Sequence, residues 1–107
     1  MDSEEPESGY QIAPTVLEAI ARRALEGEKR ARLHTGGIGR GRGIEVAVEG
    51  RSCRAVVRVD GELGEDLVKV GHDLQEKVAR ALSRMTGCSV GAVDVVFEGV
   101  YLPPVGE

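Results

Sequence analysis

The sequence predicts a single α+β domain in which two helices cover one face of a small mixed sheet of three to four strands. Two amphipathic helical patterns and one hairpin pattern support this prediction, and the elements follow the order β-α-β-β-α-β along the chain. The chain has 107 residues, of which 41% are hydrophobic, and these values are typical of one packed domain. We expect residues 1–8 to form a disordered acidic tail, residues 9–102 the domain, and residues 103–107 a C-terminal tail.

The predicted domain begins with a short strand and a helix. Residues 10–12 alternate apolar and polar side chains, which predicts a short strand. Pro14 then lies where helices favour proline, in the first helical turn. Apolar residues recur at steps of three and four over about residues 14–26, so this segment is predicted to be an amphipathic helix that ends near Gly27. Residues 27–43 lose the periodicity and are rich in glycine, which predicts a long flexible loop.

A β-hairpin is predicted over residues 43–60, because two alternating apolar runs are separated by a short polar segment. Residues that face each other across a hairpin lie on the same face of the sheet. Since side chains alternate between the two faces, the two apolar runs share a face only if Val48 lies opposite Cys53. This register leaves Gly50 and Arg51 as the two-residue turn.

The opposite face of the hairpin is charged. Arg54 and Arg58 are expected to be cross-strand partners of Glu45 and Glu49.

A second helix and a final strand complete the predicted domain. The apolar stripe between Gly64 and Thr86 predicts a long amphipathic helix, and Gly87 is expected to end it in the left-handed conformation. Alternation over residues 93–98 predicts the last strand. If this strand lies parallel to the second hairpin strand, the helix forms the crossover between them.

Because both helices are expected on one face of the sheet, the other face should remain uncovered. It carries charged residues together with Ala47, Val56 and Val96, which form a predicted apolar strip. A solvated sheet face is one interpretation of this strip. The alternative interpretation is a weak self-association surface.

The charge distribution leaves a second function class open. The net charge is −4, yet residues 22–58 carry an excess of basic residues that could contact an anion. The glycine-rich stretch 36–43 lacks the spacing of nucleotide-binding loops and leads into a strand rather than a helix. A basic, glycine-rich segment could instead grip a nucleic-acid backbone. The alternative hypothesis is a KH-like RNA-binding module, whose contacts would come from four arginines, Arg40, Arg42, Arg51 and Arg54.

The sequence contains no recognisable catalytic or metal-binding constellation. Cys53 and Cys88 lie far apart in the chain, and neither they nor His34 and His72 show the local spacing of zinc ligands. The histidines are expected at exposed polar positions, and the cysteines are expected to stay reduced. We expect no cofactor, no metal and no enzymatic activity. A cysteine nucleophile at Cys53 or Cys88 is the alternative from the enzyme class.

The order of these segments resembles the alkaline-shock protein family, also described as the Gram-positive envelope stress response family. The resemblance spans about residues 9–101. Its most telling pieces are the Gln-x-x-Val centre of the second helix, the Met-Thr-Gly sequence at residues 85–87, and the valine-rich final strand followed by Gly99-Val100.

This resemblance implies a small cytoplasmic bacterial protein without catalytic residues, linked to envelope stress and cell-envelope or lipid homeostasis. It implies protein partners, a membrane-anchor protein among them, and membrane association through such a partner rather than direct insertion. We further expect a homo-oligomer, with nucleic acid as the alternative partner.

Overall fold

The computed structural model describes residues 10–36 and 43–105. These residues form two helices and four strands, in the order α1 (Pro14–Ala24), β1 (Ala31–Leu33), β2 (Ile44–Glu49), β3 (Ser52–Glu62), α2 (Leu67–Thr86) and β4 (Ser89–Tyr101). The predicted α+β class is confirmed. The predicted tail at residues 1–8 lies outside the described residues.

Strand β3 is the centre of a mixed four-stranded sheet. It pairs in parallel with β4 along one edge, over residues 52–62. Its other edge pairs antiparallel with β2 over residues 52–57 and with β1 over residues 59–61. The two short strands thus share one edge of β3, and Arg58 joins them through hydrogen bonds to Gly43 and His34.

The register of the β2–β3 hairpin is the predicted one. Val48 lies opposite Cys53, and the turn consists of Gly50 and Arg51. Gly50 has a φ of 62°, and no described residue other than glycine has a positive φ. Because only the first turn residue has a positive φ, the turn fits type II′, which suits the twist of a hairpin.

The short strand of the domain lies elsewhere than predicted. Residues 10–12 form no strand, and the predicted loop 27–43 contains β1 instead. The physical reason is that β3 extends beyond the end of β2, so its backbone groups near residue 60 need another partner. Residues 31–33 supply it, and the N–H of Glu62 donates to the carbonyl of Arg30 to continue the pairing.

Helix α2 ends where predicted and begins three residues later. Gly87 has a φ of 73° and donates its N–H to the carbonyl of Ser83. At the other end, the Asp66 carboxylate accepts hydrogen bonds from the N–H groups of Val68 and Lys69 at 3.1 and 3.2 Å. This side-chain cap places the start of the helix at Leu67.

Strand β4 is longer than the predicted 93–98. The pairing with β3 continues from Ser89 to Tyr101, with register shifts beside Gly91 and Glu98. These two bulges interrupt the alternation of side chains, which explains why the pattern indicated only the middle of the strand.

The hydrophobic core lies between the helices and one face of the sheet. Both helices contribute to it, and both therefore cover the same face, as predicted. Its members are Leu17, Ala21, Ala31, Ile44, Val46, Cys53, Ala55, Val57, Val59, Val70, Leu74, Val78 and Leu82.

A partly buried ion-pair network holds the α1–β1 connection against α2. The Glu28 side chain is only 5% exposed and accepts hydrogen bonds from Arg30 Nε and Lys77 Nζ, both at 2.8 Å. Arg30 also donates to Asp73 at 2.9 Å. The pKa of Glu28 is consequently held well below its usual range, chiefly by the hydrogen bond from Arg30. The network fixes the segment that leads into β1.

Candidate interaction surface

The uncovered face of the sheet is the candidate functional surface. Alternate residues of β2, β3 and β4 point away from both helices. We call the resulting surface the open face; its central part consists of Glu45, Ala47, Glu49, Arg54, Val56, Arg58, Asp94, Val96 and Glu98.

The predicted apolar strip lies within the open face. Val56 sits on the central strand, opposite Glu45 on one side and Asp94 on the other. Ala47 and Val96 are its diagonal neighbours on β2 and β4. The register thus brings the three predicted residues together across the sheet, and Val96 remains 39% exposed.

Ion pairs on the open face connect all three strands. The Arg58 guanidinium lies 3.6 Å from a carboxylate oxygen of Glu45 on β2 and 3.5 Å from one of Glu98 on β4. The predicted pairing of Arg58 with a glutamate on β2 is therefore present. Because these groups are partly exposed, each pair stabilises the fold by about 0.5 kcal/mol. The open face carries four carboxylates and two guanidinium groups around the strip.

Side-chain contacts also fill the end of the open face beside β1. His34 Nδ1 lies 2.8 Å from Asp60 Oδ1, and the guanidinium of Arg32 stacks over the ring of Tyr101 at 4.1 Å. Burial is the main cause that raises the pKa of Tyr101, whose hydroxyl donates to the carbonyl of Lys29. The expected exposed position of His34 is wrong, because this side chain is half-buried and bonded to Asp60; His72 is exposed as predicted.

The four arginines of the RNA hypothesis are only partly placed. Arg40 and Arg42 lie outside the described residues. Arg54 is on the open face. Arg51 is in the hairpin turn at one end of β2, whereas the glycine-rich stretch 36–43 leads into the other end of that strand. Six strand residues separate these ends, a distance of about 20 Å.

The structure brings together two cysteines that the sequence analysis treated separately. The sulfur atoms of Cys53 and Cys88 are 2.8 Å apart. Their separation of 35 residues gave no local signal for this contact. Within residues 10–36 and 43–105, no group of three or more His, Cys, Asp or Glu residues is arranged to hold a metal ion.

No helix among the described residues is long and apolar enough to cross a membrane.

The fold is similar to that of a solved structure, a variant of the MamM CTD in its zinc form. The two chains share 13% sequence identity at a TM-score of 0.50, over 87% of this chain and 89% of the other. At this identity the similarity concerns the fold alone. None of the curated proteins matches the chain.

Membership of a family follows from the sequence itself. The profile of the alkaline-shock protein 23 family matches residues 22–102, which is well over half of the chain and includes every strand and all of α2. The resemblance predicted from the helix centre, the Met-Thr-Gly segment and the final strand is thereby confirmed. The chain belongs to the alkaline-shock protein 23 family, which is described as having a cell envelope-related function.

Proposed function

We propose that this protein is a non-enzymatic interaction module with a cell envelope-related role, and that it self-associates through the open face of its sheet. The observation that carries the proposal is the placement of both helices on one face, which leaves the apolar strip uncovered on the other. In this proposal the protein works in the cytoplasm and reaches the membrane only through a protein partner.

The composition of the open face supports a second copy as the partner. A two-fold rotation places Val56 and its two apolar neighbours against the same strip of the other copy. The face also carries charges of both signs, so Arg54 of one copy can meet a carboxylate such as Glu49 or Asp94 of the other. Such complementarity favours a specific orientation. A strip of three small side chains is typical of weak, reversible interfaces below about 1,200 Å².

The free edge of β4 is less suited to association. Bulges beside Gly91 and Glu98 disturb its regular ladder, and such bulges discourage edge-to-edge pairing. In addition, the side-chain amide of Gln75 donates to the carbonyl of Val93 at 3.1 Å, which satisfies that group from α2. The open face is therefore the better interface.

Replacing Val56 with lysine tests this interface. The new ammonium would lie between Glu45 and Asp94, so the monomer should remain folded while a charge enters the apolar strip. We expect sedimentation equilibrium to show concentration-dependent association of the parent protein. Val56→Lys should weaken association by about tenfold or more, because the interface would have to desolvate the new ammonium group and the carboxylates beside it.

Val68→Lys is the matched control, because Val68 is 72% exposed on helix α2, away from the open face. It should associate like the parent protein. A parent protein that stays monomeric at every concentration, or a Val56→Lys variant that associates equally well, would contradict the proposal.

The RNA hypothesis is tested separately, by fluorescence anisotropy with a single-stranded RNA. Binding that falls steeply with salt and depends on Arg51 and Arg54 would favour nucleic acid as the partner. The carboxylates around the strip favour a protein instead.

A further inference from the structure

The two cysteines meet at the start of the parallel pair formed by β3 and β4. Cys53 is the second residue of β3, points into the core and is 1% exposed. Cys88 lies between the end of α2 and the start of β4 and is only partly buried. Their sulfur atoms are 2.8 Å apart, whereas a disulfide requires about 2.05 Å. The two sulfur atoms therefore need to approach each other by less than about 1 Å to reach bonding distance.

Local structure fixes the position of Cys88. Gly87 ends α2 in the left-handed conformation, and the N–H of Cys88 donates to the Thr86 hydroxyl at 3.1 Å. The next residue, Ser89, donates its N–H to the carbonyl of Arg51 at 2.8 Å. Cys88 is thus held on both sides, and its proximity to Cys53 follows from the backbone rather than from one flexible side chain.

We propose that Cys53 and Cys88 form a reversible dithiol–disulfide site, whose oxidising substrate is a low-molecular-weight disulfide. The site lies on the helix-covered side of the sheet, so this inference is independent of the proposed self-association through the open face.

The oxidation proceeds by two thiol–disulfide exchanges. The Cys88 thiol loses its proton to solvent, and its sulfur attacks one sulfur of the small disulfide. A mixed disulfide forms, and the first small thiolate leaves and takes up a proton. The Cys53 thiol then loses its proton and attacks the Cys88 sulfur, which releases the second small thiolate. Two protein thiols are oxidised and one small disulfide is reduced to two thiols.

The surroundings of the two thiols set this order. Burial is the main cause that raises the pKa of Cys53 to about 12. Cys53 is therefore a poor first nucleophile, because the thiolate is the reacting form. The more accessible Cys88 reacts first with a molecule from solvent. Cys53 acts second, when the sulfur it attacks is already in contact.

The disulfide would tie the end of α2 and the start of β4 to the central strand. It would close a loop of 35 residues, which contains most of β3 and all of α2. Closing such a loop restricts the unfolded chain more than the folded one. The oxidised protein should therefore unfold at a higher temperature than the reduced protein.

A redox titration of the full chain tests the site. The protein is equilibrated with mixtures of reduced and oxidised glutathione, quenched, alkylated and weighed by mass spectrometry. We expect a monomer about 2 Da lighter than the reduced protein, with neither cysteine alkylated, and recovery of both thiols on reduction. Its Tm should exceed that of the reduced form by about 10 °C or more. Thiols that stay reduced at every ratio, or oxidation only between chains, would overturn the proposal.

Single serine variants test the order of steps and remain informative if the disulfide is hard to isolate. Cys53→Ser should accumulate a glutathione adduct on Cys88, since the resolving thiol is missing. Cys88→Ser should leave Cys53 unmodified while the protein is folded and reactive only in denaturant. Circular dichroism confirms the fold of both. A failure of Cys53→Ser to form the adduct, or an equally fast adduct on Cys53 in folded Cys88→Ser, would overturn the proposed mechanism.

Discussion

Glu28 illustrates how a single side chain stabilises this fold through charge. Its carboxylate is nearly inaccessible, and it accepts hydrogen bonds from the backbone and side chain of Arg30 and from Lys77. Desolvation alone would raise its pKa, but the hydrogen bonds from two cations outweigh that effect and lower it. The ionised form is therefore the one that the folded state favours.

Glu28→Gln should lower the free energy of unfolding by about 2 kcal/mol, because it keeps the shape of the side chain but removes the charge opposite two cations. Urea unfolding at neutral pH measures the change. Glu26→Gln is the matched control, since the Arg23–Glu26 pair is mostly exposed; it should change stability by less than about 0.5 kcal/mol.

The stability of the parent protein and that of Glu28→Gln should depend differently on pH. A carboxyl whose folded pKa lies below its unfolded value stabilises the protein fully above the unfolded pKa, about 4.3, and loses that contribution as the pH falls toward the folded pKa. The parent protein should therefore lose stability below about pH 4.3 more steeply than Glu28→Gln. Parallel curves for the two proteins from pH 7 to pH 3 would contradict this role.

At the scale of elements, one glycine within helix α2 and one directly after it differ in backbone conformation. Gly71 lies within the helix, where an added methyl group would meet Phe97 at 3.5 Å, an ordinary contact. Gly87 ends the helix with a φ of 73°, and no atom beyond the adjoining residues lies within 4 Å of an added methyl group. Packing therefore penalises neither substitution, and the backbone decides the sign of each effect.

Gly71→Ala should stabilise the protein by about 0.5–1 kcal/mol, because alanine loses less backbone entropy in a helix. Gly87→Ala should destabilise it by about 1–2 kcal/mol, because the left-handed conformation brings the methyl group against the backbone. Thermal unfolding by circular dichroism compares the two. Gly87→Asn should recover part of the loss, since asparagine tolerates this conformation; an equal loss for both substitutions would argue against backbone strain.

The elements differ in how much of them the sequence predicts. The hairpin register follows from the parity of two adjacent strands, and the end of α2 follows from one glycine after an apolar stripe. Strand β1 could not be predicted in this way. Its three residues have a place in the sheet only because β3 extends beyond β2, which no local pattern shows.

For the whole molecule, the central position of β3 predicts a gradient of stability. Its backbone is paired on both edges along its length, whereas β1 and β4 lie at the edges of the sheet. Local opening can expose an edge strand without disrupting the core, but exposing β3 requires most of the sheet to open.

Hydrogen exchange should reveal this gradient. We expect the amides of β3 to exchange about 100-fold or more slowly than those of β1 at neutral pH, because β1 opens by local fluctuation and β3 only by near-global unfolding. NMR-detected exchange measures each amide. Similar rates in β1 and β3 would show that the sheet opens as one unit.

The sequence by itself determined the fold class, the hairpin register, the end of α2 and membership of the family. Each depends on residues that are close in the chain, or on their order along it, and helical or strand periodicity records such relations directly.

Only the tertiary structure decided the contacts on which the chemistry depends. Cys53 meets Cys88 because the α2 crossover returns β4 to the edge of β3, and His34 meets Asp60 because β1 pairs with the far end of the same strand. Glu28 meets Lys77 across 49 positions of the chain. The physical reason is common to all three: side chains far apart in sequence become neighbours only when the packing of the whole domain brings their strands and helices together.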